Sequence, residues 1–179
     1  MRKTVHKVIW GWDFDKEEAW LNEMAAKGLS LISVGLFRYD FEETDPGEYQ
    51  IALELLEHNP NHPETEQYFR FLEETGVEQI GTVFRWAYYR RKTADGPFEV
   101  FSDKESRMKH LIRILWLVAL VAGGNFYAGV YNLWIFHLWH NPISLLGIIS
   151  LVLCALCCWG IWKLWKKIKA LKEEGQIYE

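Results

Sequence analysis

Cysteine is absent from residues 1–103, the part of the chain that we call the head. All three cysteines, Cys154, Cys157 and Cys158, lie together in one apolar run near the C-terminus. A head without cysteine excludes a disulfide-stapled domain and fits a reducing compartment. We interpret the three cysteines as small apolar residues, because no histidine or acidic residue shares their run.

The sequence also lacks the motifs on which many enzymes depend. It contains no G-x-S-x-G nucleophile pattern and no glycine-rich loop of the kind that cradles a phosphate. The histidines of the head, His6, His58 and His62, have no cysteine partner there. We therefore predict no enzymatic activity, no cofactor and no metal site.

Charge is divided unevenly along the chain. Residues 1–103 carry 11 Lys and Arg against 20 Asp and Glu, whereas residues 104–179 carry 9 against 4. An acidic head argues against nucleic acid as a direct partner, since phosphates attract clustered basic residues. No apolar run follows the basic N-terminus before Asp13, so we expect no signal peptide.

Two long apolar runs, residues 111–130 and 143–162, flank a short aromatic-rich connector. Each run is long enough to cross a hydrocarbon core about 30 Å thick, so together they predict a transmembrane hairpin. Basic residues flank the outer ends of both runs, while the connector from Tyr131 to Asn141 has no lysine or arginine. The positive-inside rule predicts a multi-pass protein of the cell membrane with both termini in the cytoplasm. No charged residue lies deep in either run, which argues against an ion-coupled transporter.

Hydrophobic periodicity in residues 1–92 predicts an α+β domain. Helices are expected from Asp13 to Gly28 and from Pro63 to Thr75, each ended by a glycine. Sliding the chain by 48 residues aligns these two helices, their glycine stops and the strands that follow. This internal match favours a ferredoxin-like plait of order βαββαβ, with the second and third strands forming a hairpin. The strands are expected at 5–10, 30–41, 48–57 and 80–91.

The remainder of the chain is predicted to connect and anchor this domain. Residues 93–110 form a linker and the start of a helix, for which Ser102 is the expected cap. Residues 111–165 form the transmembrane hairpin, and residues 166–179 form a cytoplasmic tail.

One face of the predicted sheet would present aromatic side chains to solvent. Alternation along the strands places five residues on this face, and exposed aromatic patches usually mark a contact with a protein partner or a second copy of the chain. Binding of a small apolar ligand and cover by the segment from Phe98 to Phe101 are the alternatives. The five partner-binding candidates are Phe37, Tyr39, Phe41, Arg85 and Tyr89.

Small and polar residues in the first apolar run are candidates for packing between helices. Glycine lets another helix approach closely, and an amide side chain within a membrane often faces a helix partner. The candidates are Gly123, Gly124, Asn125 and Asn132.

The stretch from Glu18 to Gly28, which contains the letters WLNEMAAKG, resembles a bacterial membrane-protein family known only as a domain of unknown function. The resemblance extends over about residues 5–110 and includes Pro46 to Tyr49. It implies a cytoplasmic head before C-terminal spans, and it implies a PadR-like transcriptional regulator as a partner, because such a regulator is often encoded beside family members. It transfers no catalytic residue.

These observations predict a membrane-anchored sensing or adaptor module whose head binds a protein partner, with a PadR-like regulator as the first candidate. The alternative is an accessory subunit of a membrane transport complex. In both cases the expected partners are the lipid bilayer and a protein.

Overall fold

The computed structural model describes residues 2–101, 103–140, 142 and 146–176. The chain divides into two compact units, Met1–Asp103 and Lys104–Glu179. The first unit is the head, and the second is a helical hairpin. The structure confirms the α+β class, and the head is compatible with a ferredoxin-like plait.

The described part of the head contains two three-stranded antiparallel sheets and two α-helices. The first sheet has the strand order β1-β3-β2 and the second has the order β4-β6-β5. In chain order the elements are β1 (Arg2–His6), α1 (Phe14–Ala26), β2 (Leu29–Gly35), β3 (Arg38–Glu43), β4 (Tyr49–Leu55), α2 (Pro63–Glu74), β5 (Val77–Val83) and β6 (Trp86–Lys92).

Two of the predicted strands are each a hairpin of two strands. The stretch 30–41 turns at Leu36 and Phe37, and the stretch 80–91 turns at Phe84 and Arg85. The apolar alternation continues through both turns, and the turn residues are large rather than Gly, Asn or Pro, so nothing in the pattern marks a reversal. The predicted pairing of the second and third strands is also wrong, because β3 pairs with β1 and β2 while β4 pairs with β6. The first strand lies earlier than predicted, at Arg2–His6.

The internal match at 48 residues corresponds to a repeated βαββ unit. Gly28 and Gly76 both follow a helix and have positive φ angles of 79° and 81°. A Cβ at Gly28 would lie 2.8 Å from the carbonyl oxygen of Thr44, so this turn needs glycine. The strand register shifts after Leu31 in β2 and after Gln79 in β5, which are again 48 residues apart. The two halves therefore share their turns and irregularities as well as their element order.

The strands β2 and β5 lie side by side and bring the two sheets together. A Cβ at Gly81 would lie 3.5 Å from the side chain of Val34, and Arg90 of the second sheet reaches Glu42 of the first at 2.9 Å. The main core lies beneath α1 and draws residues from both sheets. Its buried members are Leu21, Ala25, Leu31, Tyr39, Phe41, Ile51, Leu53 and Tyr88.

The helical hairpin consists of α3 (Lys104–Trp139) and α4 (Leu146–Gln176). Both helices are longer than the predicted spans, and α3 continues through most of the predicted connector, including Trp134 and His137. The predicted cap Ser102 and the predicted start of the second span at Ile143 lie outside the described residues.

Candidate interaction surfaces

The predicted aromatic face is largely inside the head. Tyr39 is 4 % exposed, and Phe41 and Tyr89 are 0 % exposed, so the expected exposure of these three residues is wrong. Phe37 is 46 % exposed, because it lies in the turn between β2 and β3. Only Phe37 and the partly buried Arg85 remain at the surface among the five candidates.

The buried tyrosines are held by buried carboxylates. The hydroxyl groups of Tyr39 and Tyr88 both donate to Oε1 of Glu17, each at 2.7 Å. Burial raises the pKa of the Glu17 carboxyl above its usual value, although the two tyrosine hydrogen bonds oppose the shift. Tyr89 donates in the same way to Glu54 at 2.8 Å. A hydroxyl with a buried acceptor can lie in the core, which the period-two pattern alone does not reveal.

Packing from two directions accounts for the remaining burial. Trp20 of α1 places its ring edge-on to Tyr39, with centroids 5.0 Å apart. Phe69 of α2 lies 6.3 Å from Tyr89. Phe98 and Val100 pack against the cluster that contains Tyr89, so the segment after β6 does cover part of the sheet.

Exposed apolar side chains instead gather at the tips of the two hairpins. Six large apolar residues of the described head are exposed, and five of them belong to the β2–β3 turn, the β5–β6 turn or the segment between β1 and α1. We call these five residues the hairpin-tip surface. They are Val8 (61 %), Trp10 (44 %), Leu36 (60 %), Phe37 (46 %) and Phe84 (78 %).

The five residues lie at one end of the head. Val34 of β2 lies beside Gly81 of β5. Leu31, which comes earlier in β2, accepts a hydrogen bond from Arg90 through its carbonyl. These contacts show that β2 and β5 run in the same direction, so their turns lie at the same end. The segment that carries Val8 and Trp10 spans both hairpins, because one of its ends contacts the β2–β3 hairpin and the other contacts the β5–β6 hairpin. At one end the amide of Lys7 donates to the carbonyl of Phe37 at 3.1 Å, and at the other Gly11 lies against the ring of Trp86.

Two phenylalanines of this surface have a backbone conformation that disfavours their side chains. Phe37 has φ 60° and Phe84 has φ 55°, both in the left-handed region. This region costs an L-residue about 1–2 kcal/mol relative to the right-handed one, and glycine or asparagine normally occupies it. Strain of this kind persists where the surrounding structure holds the backbone in place, and such residues cluster at functional sites.

Arg85 anchors the second turn to the chain that follows β4. Its Nη2 donates to the carbonyl oxygens of Leu56 and Glu57. In addition, the amide of Leu56 donates to the carbonyl of Arg85 at 2.8 Å. Arg85 therefore positions the turn that carries Phe84.

The helices α3 and α4 touch through two glycines that sequence reasoning missed. A Cβ at Gly129 would lie 2.6 Å from the side chain of Leu151, and a Cβ at Gly147 would lie 2.8 Å from the carbonyl of Gly129. Asn132 lies at this contact, 2.9 Å from the Gly147 position, and donates to the carbonyl of Ala128. The sequence does indicate this contact, because the small residues Ala122 and Gly129 are one heptad apart.

Three of the four predicted packing residues lie elsewhere. Gly123 and Gly124 have nothing within 4 Å of a would-be Cβ, so they do not mediate the contact between α3 and α4. Asn125 donates to the carbonyl of Val121, four residues earlier in the same helix. These residues lie on a part of α3 that is open in this structure.

Both helices are long and apolar enough to span a membrane. Only 22 % of the most apolar stretch of α3 and 17 % of that of α4 is buried, so most of the apolar surface points outward. On α3 the exposed tryptophans Trp116 and Trp134 are 18 residues apart, which is about 27 Å at 1.5 Å per residue. This separation is close to the thickness of a hydrocarbon core, about 30 Å, and tryptophan favours the two boundaries of that core.

One group of described residues has the chemistry of a metal site, which the sequence reasoning did not predict. His58, His62 and Glu64 offer ligand atoms that lie within 4.8 Å of one another. Nδ1 of His62 accepts a hydrogen bond from the amide of Glu64 at 3.3 Å and caps α2. Coordination of a metal by Nδ1 of His62 would compete with this hydrogen bond. We therefore interpret the group as the N-terminal cap of α2.

Comparison with known proteins identifies one family. The model of DUF2812, described as a protein of unknown function, matches residues 13–122. The matched stretch begins just before α1, contains both hairpin tips and ends within α3. No curated protein and no solved structure matches this chain.

Proposed function

The chain belongs to the DUF2812 family of proteins of unknown function, and we propose from its surfaces that it is a membrane-anchored adaptor. In this proposal the helical hairpin anchors the chain in the cell membrane with both termini in the cytoplasm. The head binds a protein partner through the hairpin-tip surface and carries out no catalysis. The observation that carries the proposal is that five of the six exposed large apolar side chains of the described head lie at one end.

The character of the hairpin-tip surface supports a protein partner. Large apolar and aromatic side chains are enriched at the centres of protein interfaces, where they supply most of the binding energy. Leu36 and Phe84 lie on different hairpins, so a partner that covers both must span the two halves of the head. The left-handed backbone of Phe37 and Phe84 also supports a role for these side chains beyond folding.

Charge favours a basic partner. Residues 1–103 carry 20 Asp and Glu against 11 Lys and Arg, so the head repels an anionic membrane surface and attracts a positively charged protein. DNA-binding proteins carry clustered lysine and arginine. This agrees with a PadR-like transcriptional regulator as the partner, which the sequence resemblance implies. Sequestration of the regulator at the membrane is the simplest mechanism.

Binding between purified proteins tests the partner and the surface together. The full chain in detergent is titrated with a purified PadR-like regulator, and Kd is measured. The double substitution Leu36→Glu and Phe84→Glu should raise Kd by at least about tenfold, because interface centres tolerate charge poorly. The matched control is Phe71→Glu, since Phe71 is 59 % exposed on α2 outside the hairpin-tip surface.

The possible results separate the two claims. If wild-type protein shows no binding, the regulator is rejected as the partner. If both variants bind like wild type, or if Phe71→Glu weakens binding equally, the hairpin-tip surface is rejected.

Anchorage is tested separately. Membranes are extracted with alkaline carbonate, which releases peripheral proteins, and the pellet is probed for the full chain. Release into the supernatant would reject the transmembrane hairpin. Protease added to intact cells should leave the head uncut if both termini are cytoplasmic.

Assembly with another membrane protein, as an accessory subunit of a transport complex, is the second candidate. It is favoured by Gly123 and Gly124, which lie on an exposed part of α3 with open space around them. Glycines of this kind allow close approach of a partner helix. Gly124→Leu should abolish a complex that forms through the spans, and it should spare one that forms through the head.

A further inference from the structure

Three lysines of α4 each lie over the ring of the tryptophan four residues earlier. The Nζ atom of the lysine is 3.9 Å from the ring centroid in the first pair, 3.7 Å in the second and 5.9 Å in the third. We call these six residues the Trp–Lys ladder. The pairs are Trp159 with Lys163, Trp162 with Lys166, and Trp165 with Lys169.

The ladder lies on the outward side of α4. Its three tryptophans are 49 %, 50 % and 55 % exposed. The buried residues on the same stretch, Leu164 and Ile168, point elsewhere. The aromatic rings can therefore contact the lipid or solvent around the helical hairpin.

Basic charge is concentrated at this end of the hairpin. Residues 114–162 contain no Asp, Glu, Lys or Arg, and the first acidic residue of α4 is Glu173. The contact between Gly129 and Gly147 sets an antiparallel register that brings the start of α3, with Lys109 and Arg113, beside the ladder. The opposite end of the hairpin has no such charge.

The dimensions of the ladder fit the headgroup layer of a bilayer. From Trp159 to Trp165 the helix rises about 9 Å at 1.5 Å per residue. Each polar layer of a bilayer is roughly 5–8 Å thick, as the difference between the total and hydrocarbon thickness shows. Indole rings favour this layer, and a lysine stem extends its ammonium group toward the phosphates.

We propose that the Trp–Lys ladder binds the headgroups of anionic phospholipids. Each ammonium pairs with a lipid phosphate while its tryptophan fixes the depth of the pair in the interface. Glu173 lies 3.6 Å from Nζ of Lys169 and partly neutralises that lysine. The inference rests on the membrane anchorage proposed above, and it adds a preference among lipids that anchorage alone does not require.

Quenching of tryptophan fluorescence by brominated lipids measures this preference. The full chain is reconstituted in phosphatidylcholine bilayers that contain either brominated phosphatidylglycerol or brominated phosphatidylcholine, and the ratio of the two binding constants is obtained. We expect phosphatidylglycerol to be favoured by about fivefold for each lysine that engages a headgroup. The double variant Lys163→Gln and Lys166→Gln should lower the ratio by up to about 25-fold, fivefold for each lysine removed, while leaving all tryptophans in place.

The matched control removes the same charge from the head. Lys16→Gln with Lys27→Gln changes two exposed lysines of the first unit and should preserve the preference. Equal ratios for wild type and the Lys163/Lys166 variant would overturn the proposal, as would an equal loss in the control. Inorganic phosphate in place of chloride at constant ionic strength should have no effect, and loss of the preference in phosphate would show a site for the free ion instead. If carbonate releases the protein, the anchorage itself fails. If the protein is anchored but shows no preference, only the lipid site fails.

Discussion

Asn22 of α1 pairs with both backbone groups of Ile51 in β4. Its Nδ2 donates to the carbonyl of Ile51 at 2.7 Å, and its Oδ1 accepts from the amide of Ile51 at 2.9 Å. One turn earlier, Glu18 accepts from the amide of Leu53 at 3.2 Å. Since β4 is an outer strand of its sheet, two helix side chains cover an edge that would otherwise be open to pairing. This gives a physical role to Asn22, the asparagine of the stretch WLNEMAAKG on which the family resemblance rests.

Asn22→Ala should open the edge of β4. The substitution leaves a partly buried amide and carbonyl without partners, which costs on the order of 2 kcal/mol. Hydrogen exchange of the Ile51 amide should accelerate by about 30-fold, as that free energy implies. Glu23→Ala, at an exposed position of the same helix, is the control and should leave the exchange rate unchanged.

Glu17 should make the head less stable as pH rises. The pKa of Glu17 is raised above its usual value of 4.5 in the folded head, mainly by burial, so the folded state holds its proton more tightly than the unfolded state. The stabilisation is complete below about pH 4.5 and is lost as pH rises through the folded pKa. Glu17→Gln should flatten this dependence of the thermal midpoint between pH 4 and pH 8, whereas the exposed Glu23→Gln should not. An unchanged slope in Glu17→Gln would contradict the assignment.

Phe84→Gly should stabilise the head although it removes a large apolar side chain. Phe84 is 78 % exposed and has φ 55°, so little burial is lost. Relief of the strain, about 1–2 kcal/mol, outweighs the entropy that glycine adds to the unfolded chain, about 0.4–1 kcal/mol. The thermal midpoint should rise by a few degrees, since 1 kcal/mol corresponds to about 4–8 °C in a domain of this size. Thr82→Gly, within β5, should lower it, because glycine weakens a strand. A lower midpoint for Phe84→Gly would show that the turn is not strained.

Gly147→Ala should weaken the helical hairpin, and Gly124→Ala should not. A Cβ at Gly147 would lie 2.8 Å from the carbonyl of Gly129, which is backbone and cannot move aside, whereas Gly124 has open space around it. Overpacking of this kind costs about 1–3 kcal/mol. Thermal unfolding of the purified full chain in detergent, followed by far-UV circular dichroism, measures the difference. Equal midpoints for the two variants would contradict the observed contact.

Local patterns predicted the helices of the head well. Pro63 begins α2 as expected, and Gly28 and Gly76 end the two helices in left-handed conformations. The internal match at 48 residues also proved to be structural, since turns and register shifts repeat at that spacing. The helix signals depend on residues close in sequence, and the repeat is visible when two stretches of the chain are compared. Neither requires knowledge of the fold.

The candidate surfaces were harder to predict. Alternation showed that Tyr39 and Phe41 share a face, but it could not show that Glu17 and Trp20 lie against that face. The turns at Phe37 and Phe84 also escaped notice, because phenylalanine with positive φ contradicts the usual turn chemistry. In the helical hairpin, the adjacent glycines Gly123 and Gly124 were predicted to mediate packing. The register of α3 against α4 instead places Gly129 and Gly147 at the contact.

By itself the sequence determined two long apolar helices, an acidic α+β head before them and a basic boundary at one end of the hairpin. Length, periodicity and charge are properties of contiguous residues, and they need no knowledge of the fold. Only the tertiary structure decided that Tyr39 and Tyr89 are buried while Leu36 and Phe84 are exposed. The reason is that burial depends on which distant segment covers a side chain. In this head the covering segments are α1, α2 and the residues that follow β6.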